Sequence, residues 1–160
     1  MRKLRSLARA AVSVYDNAAV WKRKMFASVP PSQPPIFNTM RPQTIVIRAE
    51  NAPIEEFDWG TLRWLVNSRL APGAEQTFGV STIRPGCRNP LHFHPNCEEI
   101  LYVVSGTCEH SYDGAIAPLA AGETIVIPAG VKHNLMNTGA VDVVCVISFS
   151  SPDRETVFLE

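Results

Sequence analysis

His92 and His94 stand one residue apart, Glu99 opens an apolar run, and His133 comes just after a Pro-Ala-Gly turn. On a β-strand, residues two apart project to the same face, so the first two imidazoles point together. Neutral imidazole nitrogens and a carboxylate oxygen suit divalent ions of the first transition row. Three imidazoles and one carboxylate converging inside a small β-structure would therefore make a metal site. A lone H-x-H is weak evidence, because a histidine in a β-rich chain is more often a surface or satisfied core residue. Here the fixed residues extend much further. They run G-x5-H-x-H-x4-E-x6-G from Gly86 to Gly106, then G-x5-P-x-G-x2-H-x3-N from Gly122 to Asn137, with the 15 residues Thr107 to Ala121 between them.

These two patterns resemble the paired motifs of the cupin superfamily at every fixed position, and the resemblance covers the chain from about Phe78 to Ser150. It implies a small all-β jelly roll, the double-stranded β-helix, with His92, His94, Glu99 and His133 as metal ligands. Glu98 is the competing carboxylate, but it fails the spacing to Gly106 and alternates to the other strand face. A bulge at the strand start would reverse that choice. The resemblance also implies a divalent cofactor, Fe(II) first, with Mn(II), Ni(II) and Zn(II) as alternatives. The ligand set alone does not choose among them, because intrinsic affinity follows the metal series whatever the biology uses. Three function classes follow. The first is a metal-dependent enzyme of dioxygenase type acting on a small organic substrate, aromatic ones included. The second is a non-oxidative isomerase, decarboxylase or lyase, and the third a non-catalytic metal- or ligand-binding module. No catalytic residue beyond the ligands is assigned. Small cupins commonly pair, so a homodimer is expected.

The elements that must position these residues are legible as short apolar stretches between turn signals. Thr44 to Arg48, Thr61 to Val66, Thr77 to Ile83, Ile100 to Val104, Thr107 to Tyr112, Thr124 to Ile127 and Val141 to Phe149 read as strands. Glu55 to Gly60, Pro72-Gly73 and Asp113-Gly114 read as turns, the last a hairpin. TIVIR and VDVVCVISF, being long and apolar, are the expected dimer edges. Pro85-Gly86, Gly106 and Pro128-Ala129-Gly130 have structural roles, and Asn137 is expected to hydrogen-bond backbone near the site.

Around this domain, taken as residues 44–160, the remaining chain looks different. Residues 1–28 carry helical periodicity from Leu4 to Phe26 and seven of the fifteen basic residues, against a single acid, Asp16. Three readings stay open for this extension: a helix packed on the barrel or a partner, a membrane-surface helix, or a mitochondrial presequence if the source is eukaryotic. Residues 29–43 begin with four prolines in seven residues and read as a stiff linker. The formal net charge is zero, but residues 41–160 alone are acidic, which argues against a nucleic-acid partner. No apolar run reaches membrane-spanning length. The expected location is cytoplasmic, with mitochondrial or peripheral-membrane placement as alternatives.

The inward neighbours of the candidate ligands, Leu101, Val103 and Leu135, are apolar and favour an organic substrate over a phosphorylated sugar. Trp59, Trp64 and Phe78 are candidates for the pocket mouth. Arg63, Arg69 and Arg84 are candidates for holding a substrate carboxylate, though each reads more simply as a solvated charge. The four cysteines lack metal-site spacing and read as buried free thiols. His110 lies outside both motifs and is expected on a hairpin surface.

Overall fold

A computed structural model of the chain describes residues 46–160. The helical extension 1–28, the proline-rich linker 29–43 and the start of the TIVIR segment lie outside the described residues. After a single 3₁₀ turn (Ala49–Asn51) come eleven strands: β1 (Ile54–Phe57), β2 (Gly60–Val66), β3 (Thr77–Ile83), β4 (His92–Phe93), β5 (Glu99–Ser105), β6 (Thr107–Tyr112), β7 (Ala115–Ala120), β8 (Thr124–Ile127), β9 (His133–Asn137), β10 (Val143–Phe149) and β11 (Val157–Phe158). They form a six-stranded sheet ordered β1-β2-β3-β10-β5-β8 and a five-stranded sheet ordered β11-β4-β9-β6-β7. Every pairing is antiparallel.

Strict alternation in β3, β5 and β10 sends one residue set inward and the other out. The inward set (Ile83, Leu101, Val103, Cys145, Ile147 and Phe149) meets Cys108 and Leu135 from the other sheet and forms the core. The ends of these strands are set by tight turns. Asp113 and Gly114 both have positive φ, 43° and 85°, as a two-residue hairpin between right-twisted strands requires. Gly106 sits at φ 88°, and a Cβ there would lie 2.8 Å from Val143 Cγ2, so only glycine turns β5 into β6 at this point.

Three expectations are corrected. Val46–Arg48 form no strand: Val46 is 78% exposed and no neighbouring strand offers its backbone a ladder. Glu55–Phe57 belong to β1, an exposed edge strand paired only with β2, so the turn is confined to Asp58-Trp59. Finally, β10 is flanked by β3 and β5 and is no edge, so it cannot pair with a second copy through its backbone. No helix among the described residues is long and apolar enough to cross a membrane.

Candidate metal centre

The four candidate ligands arrive from both sheets. His92 on β4 and His133 on β9 stand directly opposite each other in the five-stranded sheet. His94 follows just past the end of β4, and Glu99 opens β5 in the facing sheet. All four are buried, and one donor atom from each lies within 4.8 Å of every other. Glu98 is at the surface, its backbone N–H donating to Ser150 Oγ.

Each imidazole is oriented by a backbone carbonyl. His92 Nδ1 lies 2.8 Å from Pro90 O, His94 Nδ1 2.6 Å from Glu155 O, and His133 Nδ1 2.9 Å from Val131 O. A carbonyl only accepts, so each Nδ1 carries the proton and each Nε2 of a neutral ring presents a lone pair. Yet Nε2 of His133 lies 3.1 Å from Glu99 Oε2, and Nε2 of His94 lies 3.2 Å from the same oxygen. His94 Nε2 meets no partner in hydrogen-bonding geometry, although it is buried. Buried acceptors packed this closely need a cation among them, either a proton or a metal ion.

The charges follow the same logic. Burial pushes the Glu99 carboxyl up, but its contacts with His133 and His94 override this and hold it well below the usual carboxylate range. For His133, burial favours the neutral ring, and the hydrogen bond to Glu99 reverses that and raises its pKa. His92 is dominated by burial, with His133 adding to it, and falls to about 4. The donor set, one anion and three imidazoles held by carbonyls behind them, fits a divalent ion with nitrogen and oxygen ligands.

The site opens into a cavity of about 340 Å³ whose walls include Leu62, Trp64, Ile83, Leu101, Leu135 and Phe149. Two of the three expected mouth aromatics are there: Trp64 in the wall and Trp59, which stacks on Phe57 with centroids 4.7 Å apart. Phe78 is not, because it takes the outward parity of β3. Arg63, Arg69 and Arg84 do not line the cavity. Arg63 donates to Ala49 O, and Arg84 to Phe57 O and Asp58 O.

His110 overturns its expectation. It is 1% exposed, lines the cavity and stacks on His133 with centroids 5.6 Å apart and planes 14° apart. It shares the inward face of β6 with Cys108, and burial holds its ring neutral, with a pKa of about 4. The alternation TCEHSY carried that signal. Asn137 is fully buried, donating Nδ2 to Ile83 O and Val141 O and accepting from Gly139 N–H. All four cysteines are free thiols, three of them buried. Burial pushes Cys108 to about 11 and Cys145 to about 12, and also raises Cys97, so none of these is a ready thiolate.

Comparison with known proteins agrees with this architecture. Residues 79–149 match the model of the Cupin domain family. Protein SchB of Streptomyces halstedii is 33% identical over 100 residues, which span 62% of this chain and 72% of SchB. The chain is a cupin. The polyketide synthase CurC of Streptomyces cyaneus is 36% identical over 80 residues, half of this cupin and 52% of CurC. Oxalate oxidase 1 of Hordeum vulgare is 36% identical over 100 residues, 55% of this chain and 49% of the relative. The cupin therefore spans about half the length of these last two relatives. Among solved structures, Bacillus subtilis oxalate decarboxylase superposes with a TM-score of 0.64 at 24% identity, covering 70% of this chain and 31% of the decarboxylase, a likeness of fold.

Proposed function

We propose that this cupin is a metal-dependent enzyme acting on a small organic substrate bound in the apolar cavity, with His92, His94, Glu99 and His133 holding the ion. The observation that carries this reading is the convergence of three oriented Nε2 lone pairs and one carboxylate at a cavity of ligand-binding size. A purely structural metal site is closed by protein on all sides, whereas this one faces open volume. An ion held by these four residues would remain open to substrate or water on the cavity side.

Bound there, Fe(II) or Mn(II) would supply a Lewis acid and a redox centre. The protein's own part is to hold the ligand rings by the Pro90, Val131 and Glu155 carbonyls, to exclude water with the leucine and aromatic walls, and to orient the substrate. Fe(II) with oxygen-using chemistry is the first reading; the kinship with a protein named oxalate oxidase supports the oxidative chemistry, not the choice of iron. A non-oxidative decarboxylase or lyase is the second. It is favoured by the fold shared with oxalate decarboxylase, whose Mn(II) centres also make manganese a candidate ion. Oxalate itself suits this cavity poorly, because most of the wall is apolar and much of the space would stay unfilled. The relation to CurC makes a flat, polyketide-like aromatic a better fit to the leucine and tryptophan walls.

Elemental analysis of protein purified without chelator or nickel resin tests the reading, followed by oxygen-electrode and anaerobic turnover assays on aromatic enols and hydroxy acids. Near-stoichiometric metal and turnover lost in His94→Ala and His133→Ala are expected. Undiminished turnover in a metal-free His92→Ala/His94→Ala protein would overturn it.

A further inference from the structure

The segment after β10 carries a cation into the cavity from outside both motifs. It crosses from the six-stranded sheet to the five-stranded sheet, where β11 pairs with β4 beside His92. On the way, Arg154 lies with its guanidinium carbon 4.6 Å from the Trp64 ring centroid and 5.0 Å from that of Phe149. The side chain lines the cavity. Its Nη1 donates to the Thr156 hydroxyl, which in turn sits 3.3 Å from His94 Nδ1.

What the guanidinium lacks is an anion. Among the described residues no carboxylate oxygen lies within 4.0 Å of it, and its Nε–H is shielded from water with no partner. Glu55 and Glu99 act on it only at longer range. A partly buried cation whose shielded Nε–H is unused is costly, and cation–π contact with two rings offsets only part of that cost. The guanidinium fork matches a carboxylate, taking two parallel hydrogen bonds. Among the described residues the only other basic groups lining the cavity are imidazoles: the three candidate ligands and His110, which burial keeps neutral. Among the described residues Arg154 is thus the one fixed positive charge available to a bound anion there.

We propose that Arg154 anchors the substrate, and that the substrate is a monocarboxylate with a flat apolar body and an oxygen group at its other end facing the His/Glu cluster. This rests on the enzyme reading above for the role of the cluster, but the anchor itself is testable without turnover. One cation sets one carboxylate, the leucine and aromatic walls set the body, and the cluster sets the second polar end. A neutral carboxamide of the same shape would fill the walls but offer the guanidinium one acceptor in place of two and no charge.

The test is calorimetric binding of 6-hydroxy-2-naphthoate and its carboxamide to the full chain, both metal-free and metal-loaded. The wild type, Arg154→Gln, Arg154→Lys and the exposed control Arg69→Gln are compared, with metal content measured on each sample. The wild type and Arg69→Gln are expected to bind the carboxylate at least tenfold tighter than the amide. Arg154→Gln should reduce that ratio to near one with amide affinity unchanged, and Arg154→Lys should keep part of it. A purely structural Arg154 would weaken both probes equally, and that result overturns the proposal. So does a wild type that shows no carboxylate preference, a comparison that needs no variant to fold. Stoichiometric metal without the preference removes the anchor and leaves the enzyme reading standing. The preference without metal keeps the anchor and removes the metal enzyme.

Discussion

Glu99 carries the only negative charge among the four candidate ligands, and it is buried where that charge is expensive unless cations surround it. Glu99→Gln keeps the volume and removes the charge that draws a divalent ion in. Metal affinity is therefore expected to fall further than the roughly 10–100-fold lost when an outer partner of a ligand is removed. Competition with a chelator of known affinity measures it, and an unchanged dissociation constant would mean that Glu99 is no ligand. Glu98→Gln, one residue away on the outer face, should leave the constant where it was. The spacing to Gly106 and period-two alternation distinguish these neighbouring glutamates in sequence, which is why the carboxylate was legible before any coordinates. The same alternation would have placed His110 inward beside Cys108. Arg154 had no such signal: in Ser-Pro-Asp-Arg-Glu it reads as a solvated tail, and only the return of the chain to β4 turns it inward.

At the scale of elements, the site depends on two joints. One is Asn137 at the end of β9, which ties the carbonyl of Ile83 at the end of β3 to that of Val141 before β10, and so links the two sheets. Asn137→Ala would leave the buried Ile83 carbonyl unmet and strip the partly buried Val141 carbonyl and Gly139 N–H of their partner, a destabilisation of about 3 kcal/mol, measurable by denaturant unfolding. A loss below about 1 kcal/mol would show that water or a backbone shift replaces the amide. The other joint is β11. Its pairing with β4 brings the Glu155 carbonyl to His94 Nδ1 and Phe158 to the cavity mouth. Removing residues 153–160 leaves the pairings of β1 through β10 in place but deprives His94 of the acceptor that fixes its tautomer. Metal affinity should drop roughly 10–100-fold while cooperative unfolding persists. A full-affinity truncated protein would show that His94 orients itself. The strands were legible where one face is buried, as in β3, β5 and β10. They were not legible at β1, whose residues are exposed on both faces of an edge, or at Val46–Arg48, where an apolar run has no partner.

Across the whole molecule, the cluster joins the two sheets at one end of the core, so an ion bound there links the halves of the jelly roll. Glu99 belongs to the six-stranded sheet, and His92 and His133 to the five-stranded one. An ion that needs all of them binds the folded state and not the unfolded chain, whose ligands lie up to 41 residues apart in sequence. Linkage then sets the size of the effect. Free metal at about 100 times its dissociation constant adds about 2.7 kcal/mol to stability. For a domain of this size each kcal/mol is worth about 4 °C in Tm, so saturating Fe(II) or Mn(II), handled anaerobically, should raise Tm by about 10 °C and chelation should reverse it. Because the gain comes from closing the two sheets on one ion, His133→Ala and Glu99→Gln should each remove most of it, although one residue lies in each sheet. Arg154→Gln should retain it, since Arg154 touches the cavity and not the donor cluster. A metal-induced rise that survives both ligand substitutions would place the ion elsewhere on the molecule and separate the stability of the fold from this site.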